Sequence, residues 1–359
     1  MKPKTKVVVA MSGGVDSSLT AALLAHQGYD VVGVTMKLWE QKKAEGGGNP
    51  PSAVDDARSV AAGLDIPFQV LDFTAEFQDL VIDYFCREYA RGRTPNPCVV
   101  CNKHLKFGKL FAAALALGAD HVATGHYARI VSDPVRKRHL LLKGLDTAKD
   151  QSYVLYNLKK DALSRLILPL GAYTKQETRE IAKKMGLKVA DKPDSQEICF
   201  IPDNDYKAFL KEQASTVFKK GKIVDTAGKV WGEHEGIEFF TVGQRKGLGG
   251  TFGKPVYVVA INAAKNEVVI GDSADIFAAA CLVENLNFIS IDELSEPLPV
   301  EVKIRYAAAP APAVIVPLAD GKVKVEFQKP QRAVTPGQSA VFYHGEEVVG
   351  GGVIVEAIR

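Results

Sequence analysis

The feature that most restricts this chain's fold lies near its start: Lys6-Val7-Val8-Val9-Ala10-Met11-Ser12-Gly13-Gly14-Val15-Asp16-Ser17-Ser18. A β-branched apolar run too short for a helix passes through two glycines straight into a helical pattern. Paired glycines let successive backbone N–H groups converge, and the helix N-terminus adds partial positive charge, so the turn is an anion nest. Ser12, Ser17 and Ser18 add hydroxyl donors, and Asp16 is a candidate to help hold Mg²⁺. The loop has neither the Gly-Lys-Ser/Thr of a Walker A sequence nor the spacing of GxGxxG. A tight turn without a ligand is the plain alternative, and it leaves the complete strand–turn–helix context unexplained.

The same two periods alternate through the first 125 residues. Lys6–Met11, Val31–Met36, Phe68–Phe73 and Asp120–Thr124 read as buried parallel strands. Between them run helical patterns, each with a glycine at or near its end: Ser17–Gln27, Ala53–Ala62, Ala75–Ala90 and roughly Asn102–Leu117. This order predicts an open α/β sheet with helices on both faces, whose ligands bind beyond the carboxyl ends of the strands. A further helix is expected after Thr174, which has capping-box spacing with Glu177 and closes at Gly186.

Beyond about residue 205 the pattern turns to short alternating segments: Val256–Ile261, Glu267–Ile270, Val300–Tyr306, Val314–Leu318, Val323–Phe327, Ala340–Tyr343 and Val353–Ala357. Asp320-Gly321 is a hairpin signal between two of them. The expected organisation is therefore a nucleotide-type α/β domain over 1–205, a small central domain over 206–275 and a C-terminal β-barrel over 276–359. Its 359 residues, 47% of them hydrophobic and 24% charged, suit a globular protein with real cores. No apolar run approaches the roughly 18 residues that span a bilayer. The basic start leads into too short an apolar stretch for a signal peptide, so a cytoplasmic location without membrane contact is expected.

Five cysteines (Cys86, Cys98, Cys101, Cys199 and Cys281) are an odd number in a long chain, which favours reduced thiols over a disulfide framework. Cys98 and Cys101 form a single CxxC, half of a structural zinc set. Cys86 and Cys281 sit in apolar patterns as buried bystanders. From Cys86 to Lys109 six basic residues face one acidic residue, a net +5. Such a stretch is either a solvated face or a surface for a polyanion, and basic neighbours favour a thiolate.

The Ser12–Ser17 loop resembles the SGGxDS loop of the PP-loop ATP pyrophosphatases, which adenylate an oxygen so that a nucleophile can displace AMP. Further segments narrow the resemblance. They are Thr94–Asn102 with Lys106-Phe107, Gly125–Arg129, Lys149–Leu155, Asp194–Ile201, Thr241–Gly249, Arg305-Tyr306 and Ala333–Ala340. Together they resemble the bacterial tRNA-specific 2-thiouridylases, the MnmA family, over nearly the whole length.

That resemblance implies ATP with Mg²⁺ on Ala10, Met11, Ser12, Gly13, Gly14, Val15, Asp16 and Ser17, bordered by Met36 and Gly125. It implies adenylation of the 2-carbonyl oxygen of the wobble uridine in the tRNAs for glutamate, glutamine and lysine. Cys199 would receive sulfur as a persulfide from a cysteine desulfurase or a sulfur-carrier protein, with Cys101 as the partner nucleophile. Asn96, Pro97 and Cys98 would meet the target base, and Lys149, Asp150, Gln151, Arg305 and Tyr306 the tRNA. Some members carry Asp where this chain has Cys98, so no carboxylate can transfer a proton from that position here. The substitution opens an alternative in which Cys98, Cys101 and Cys199 ligate an iron–sulfur cluster. A small-molecule PP-loop ligase and a noncatalytic RNA-binding module are the rival classes.

Overall fold

The computed structural model describes residues 4–39, 52–193, 198–201, 205–213, 218–250 and 252–359. The glycine-rich segment Gly46–Pro51 and the Asp194–Glu197 stretch lie outside the described residues. The chain divides into two compact units. One comprises Met1–Val81, Cys98–Gln196 and Glu346–Val348; the other comprises Ile82–Pro97, Glu197–Gly345 and Val349–Arg359.

The first unit is built on strands β1 (Lys6–Ala10), β2 (Asp30–Lys37), β3 (Phe68–Asp72), β4 (His121–Ala123), the hairpin strands β5 (Ala128–Asp133) and β6 (Arg138–Lys143), and β7 (Leu166–Ile167). The sheet order is β3-β2-β1-β4-β7, with every pairing parallel. Val7, Val8 and Val9 are all fully buried, so both faces of β1 are covered, as a parallel sheet requires. Val7, Val9 and Met11 pack against Ala21 and Leu24 of helix α1 (Val15–His26) and against Ala57, Val60 and Ala61 of helix α2 (Ala53–Gly63).

Most expected elements form with shifted ends. β4 keeps three residues, and Asp120 just before it is still tied to β1: its N–H donates to the Lys6 carbonyl at 2.9 Å, and its carboxylate accepts from the Lys6 N–H at 2.8 Å. The helix after Thr74 widens into a π-turn over Gln78–Asp83 before Tyr84–Ala90. The expected capping box is present: Thr174 Oγ1 accepts from the Glu177 N–H and the Glu177 carboxylate accepts from the Thr174 N–H, starting helix Lys175–Lys184. Local hydrogen bonding that needs only four residues is the kind of structure a sequence states outright.

The second unit holds two β structures. Strands β8 (Gly221–Asp225), β9 (Val230–His234), β10 (Tyr257–Asn262) and β11 (Glu267–Gly271) form a sheet in the order β10-β11-β8-β9 over a core of Ile223, Phe240, Val258, Val268 and Ile270. Strands β12 (Phe277–Phe288), β13 (Leu298–Lys303), β14 (Ala311–Pro317), β15 (Val323–Arg332), β16 (Ser339–His344) and β17 (Glu347–Ile358) follow. They run β12-β15-β14-β13-β16-β17, and pairing of β12 with β17 closes them into a six-stranded antiparallel barrel. Closure leaves no open edge. Its inward positions, among them Cys281, Val302, Ile315, Val325, Phe342 and Ile354, are fully buried. Arg305 and Tyr306, read as the end of a strand, instead fall in the turn after β13.

Ile82–Pro97 groups with this unit because its rings pack on the segment that precedes the β structures, including helix Tyr206–Gln213, and its backbone bonds near β16. Phe85 lies edge-on to Phe200 and Phe209, and Tyr89 stacks on Tyr206 at 5.1 Å. The Thr94 N–H donates to the Pro336 carbonyl at 2.9 Å, and Gln338 Nε2 donates to the Thr94 carbonyl at 2.8 Å. Gly337, at φ +93°, permits that approach, since a Cβ there would stand 2.9 Å from the Thr94 backbone.

Candidate active site

Met11 to Ser17 form a glycine turn between the carboxyl end of β1 and helix α1, where the anion nest was expected. The Met11 N–H donates to the Val34 carbonyl at 2.8 Å, and Thr35 Oγ1 donates to the Met11 carbonyl at 2.7 Å, fixing the loop to β2. Ser17 braces the turn from inside: its Oγ accepts from the Ser12 N–H at 3.0 Å and donates to the Gly14 carbonyl at 3.2 Å. Gly13 adopts φ +72°, and a Cβ there would meet the Ala53 carbonyl oxygen at 2.5 Å and Asp56 Cβ at 2.9 Å. Gly14 occupies the N-cap of α1 with no side chain over it, leaving the helix N-terminus open to an anion.

Gly125, at the turn after β4, lies against the first turn of α1; a Cβ would come within 2.8 Å of the Asp16 and Ser17 backbones. Met36 is the half-buried penultimate residue of β2. Asp16, expected to help hold Mg²⁺, has another engagement. Its Oδ1 accepts from Tyr127 Oη at 2.8 Å and from Lys175 Nζ at 2.6 Å, and that ammonium also lies 5.6 Å from the centre of the Tyr127 ring. Lys192 arrives from the other side, with Nζ 2.5 Å from Asp56 Oδ2 and 3.3 Å from the Gly13 carbonyl oxygen. Neither lysine was legible as a partner of the loop, since neither belongs to a local pattern with it.

Cys98 and Cys101 lie one turn apart on helix Pro97–Cys101, which runs on into a π-helical stretch, Asn102–Leu110. Cys98 is exposed and Cys101 buried. The widened helix is fixed by Asn102 Nδ2, which donates to the Val154 carbonyl at 3.2 Å. The basic surroundings led us to expect a thiolate, and Cys101 departs from that. Burial pushes its thiol up, the Lys106 ammonium draws it part of the way back, and neighbouring Cys98 adds to the rise. Cys101 therefore rests as a thiol at neutral pH. Its alkylation by iodoacetamide, localised by peptide fragmentation, should reach half its maximal rate above the ordinary thiol value of about 8.5. Lys106→Met should move that midpoint higher still, and a midpoint at or below the ordinary value would contradict this environment. The fold disfavours the thiolate, so stability present below the free-thiol value falls as pH rises through it.

Cys199 occupies an exposed turn in the second unit, anchored by buried Phe200 and Ile201. Cys281 points into the barrel, where burial pushes its thiol up to about 12. His126 is buried beside Thr124 Oγ1 at 2.7 Å, and burial followed by the nearby Lys106 charge holds it well below the usual histidine range. It is neutral.

Residues 5–203 match the family described as tRNA methyl transferase HUP domain, residues 207–272 a tRNA methyl transferase PRC-barrel domain, and residues 278–354 an aminomethyltransferase beta-barrel domain. The tRNA-specific 2-thiouridylase MnmA of Carboxydothermus hydrogenoformans is 54% identical over 356 residues, covering 98% of each chain. That of Heliobacterium modesticaldum is 55% identical over 357 residues, covering 98% of this chain and 93% of the relative. The chain belongs to the MnmA family.

Of the residues that the MnmA resemblance assigns to tRNA, Asp150 is buried. Its Oδ1 accepts from the Gly144 and Ser152 N–H groups at 3.0 Å each, and its Oδ2 from Ser152 Oγ at 2.9 Å, so it shapes the 144–152 loop. Gln151 Oε1 accepts from the Tyr127 N–H at 3.0 Å, tying that loop to the segment that also holds Asp16. Lys149 is half-buried on the same loop. In the second unit, Tyr306 is 43% exposed with Lys303 Nζ 5.8 Å from its ring centre, and Arg305 begins the same turn. Asn96 is half-buried and Pro97 buried where the cysteine helix begins. The basic stretch around it is partly neutralised: Arg91 and Arg93 pair with Glu88, and Lys109 with Glu76.

Proposed function

We propose that this protein 2-thiolates the wobble uridine of the tRNAs for glutamate, glutamine and lysine, using ATP with Mg²⁺. The observation that carries the reading is the nest at Met11–Ser17, in a chain with MnmA relatives along its whole length. A uracil oxygen is too poor a leaving group to be displaced unaided. Adenylation converts it into part of AMP, and the nest holds the pyrophosphate that departs. An anticodon base is also cheaply unstacked for entry into a pocket.

Sulfur comes next. Cys199, exposed on its turn, accepts a persulfide from a cysteine desulfurase or sulfur carrier, and its outer sulfur attacks C2 as AMP leaves. Cys101 then attacks the inner sulfur, leaving the thione on the base and a Cys101–Cys199 disulfide that a cellular dithiol reduces. In the alternative order Cys101 attacks first and releases hydrosulfide, which adds to C2. Either order asks Cys101 to lose its proton during the reaction, because the fold holds it as a thiol. Asn96, Pro97 and Cys98 border the base, and Lys149, Gln151, Arg305 and Tyr306 meet the tRNA, with Asp150 shaping the loop that carries Lys149 and Gln151. Residues 1–205 carry the chemistry, and 206–275 and 276–359 serve the RNA in the cytoplasm.

An iron–sulfur route would need its ligands assembled. Among the described residues no three His, Cys, Asp or Glu side chains are grouped to hold a metal. Pyrophosphate release and nucleoside mass spectrometry test the reading, with unmodified tRNA, ATP, Mg²⁺, a desulfurase and cysteine. We expect release that depends on tRNA, together with 2-thiouridine at the wobble position. Release without RNA in favour of a small acceptor would instead mark a ligase, and tRNA binding without release a noncatalytic module.

A further inference from the structure

Two lysines reach the phosphate loop, and their surroundings differ. Lys175 is enclosed, with its side chain 11% exposed, its ammonium on Asp16 and the Tyr127 ring beside it. Lys192 is open, 41% exposed, and its ammonium bridges Asp56 on α2 and the carbonyl of Gly13 in the nest. It is placed deliberately. Arg179 donates from Nη1 to the Ala190 carbonyl at 2.9 Å and from Nη2 to the Lys192 carbonyl at 3.0 Å, so one guanidinium fork holds the turn that presents the lysine. Asp56 is placed too, since only a residue without a Cβ at position 13 lets α2 come so close.

We propose that Lys192 is the phosphate-binding cation of this loop, held by Asp56 until the nucleotide arrives and then shared with its pyrophosphate oxygens. This rests on the ATP reading above. An ammonium carries three donors, so Lys192 can keep the Gly13 carbonyl while exchanging one carboxylate for a more highly charged phosphate group. Exposed ion pairs contribute little to stability, so fold stability alone is a weak reason for a lysine directed at the nest. Asp56 then acts as a competitor. Its carboxylate prevents the ammonium from drifting into solvent, and it weakens nucleotide binding by the affinity the phosphate must overcome.

The competition gives a test that a purely structural pair would fail. ATP affinity of the full-length protein is measured by calorimetry without tRNA, alongside thermal unfolding without ATP. Lys192→Met is expected to weaken ATP binding about ten- to a hundredfold, the loss of one hydrogen bond to a charged group. Lys192→Arg should recover part of that affinity. Asp56→Asn should shift affinity the opposite way, tightening it about threefold. If both Lys192→Met and Asp56→Asn weaken binding in parallel with lost thermal stability, the pair is structural and the proposal is overturned. Unchanged affinity in Lys192→Met, with the wild type binding normally, overturns it as well. Failure of the wild type to bind ATP would overturn the ATP reading itself, a result distinguishable from the other two.

Discussion

Cys199→Ser is expected to abolish 2-thiouridine formation, a loss of about three orders of magnitude or more, while ATP binding stays near wild type. A serine oxygen cannot carry a transferable sulfur, so no residual relay is available through that position. The substitution also leaves packing intact. Cys199 is exposed, and the turn is held by its neighbours, with Phe200 against Phe85 at 5.6 Å and Phe209 at 5.2 Å. Cys101→Ser should match it in product yield but differ in what accumulates. With the inner sulfur never attacked, label from [³⁵S]cysteine should remain on the protein as a Cys199 persulfide, or as an adduct with the tRNA. Mass spectrometry of the nucleosides and of the Cys199 peptide separates the two variants. Full thiolation by either would remove that cysteine from the mechanism.

Gly13→Ala carries the second large effect. The added methyl would sit 2.5 Å from the Ala53 carbonyl oxygen, in a residue already at φ +72°. The left-handed backbone alone costs about 1–2 kcal/mol for a residue with a Cβ, and the collision is with backbone, which cannot rotate away. Either the nest flattens or α2 moves, and in both cases the convergent N–H groups are lost. Tight ATP binding and pyrophosphate release should fall by about a hundredfold or more, with a lower unfolding temperature. Gly14→Ala makes the contrast, because a Cβ there meets only Ser12 Oγ, at an ordinary 3.7 Å. It should bind ATP far better than Gly13→Ala; equal loss in both would mean that space at Gly13 is not what matters.

These expectations draw on different amounts of the sequence. The alternating strands and helices, the glycine turn after β1, the Thr174 capping box and the hairpin at Asp320-Gly321 were legible because each depends on residues a few positions apart. Gly321 does adopt φ +77° there. The β-barrel was legible in outline, since inward positions recur every second residue along its strands. β12, the hairpin of β5 and β6, and β8 and β9 were not read from the pattern. In β12, Ala278, Ala280 and Cys281 are buried, with a shift of register in between, so the two-residue alternation breaks.

The site divides along the same line. The sequence by itself determined that a two-glycine turn into a helix follows β1 and that Cys98 and Cys101 stand three residues apart, because local order along the chain fixes both. Tertiary structure alone decided which charges serve them. Lys175 is 159 residues from Asp16, and Lys192 is 179 from Gly13. Only packing brings such pairs together, and no periodicity records it. Burial likewise reversed the expectation for Cys101: desolvation outweighs a cation that the sequence plainly displays. Charge can be counted along a chain, whereas the dielectric around it exists only once the chain has folded.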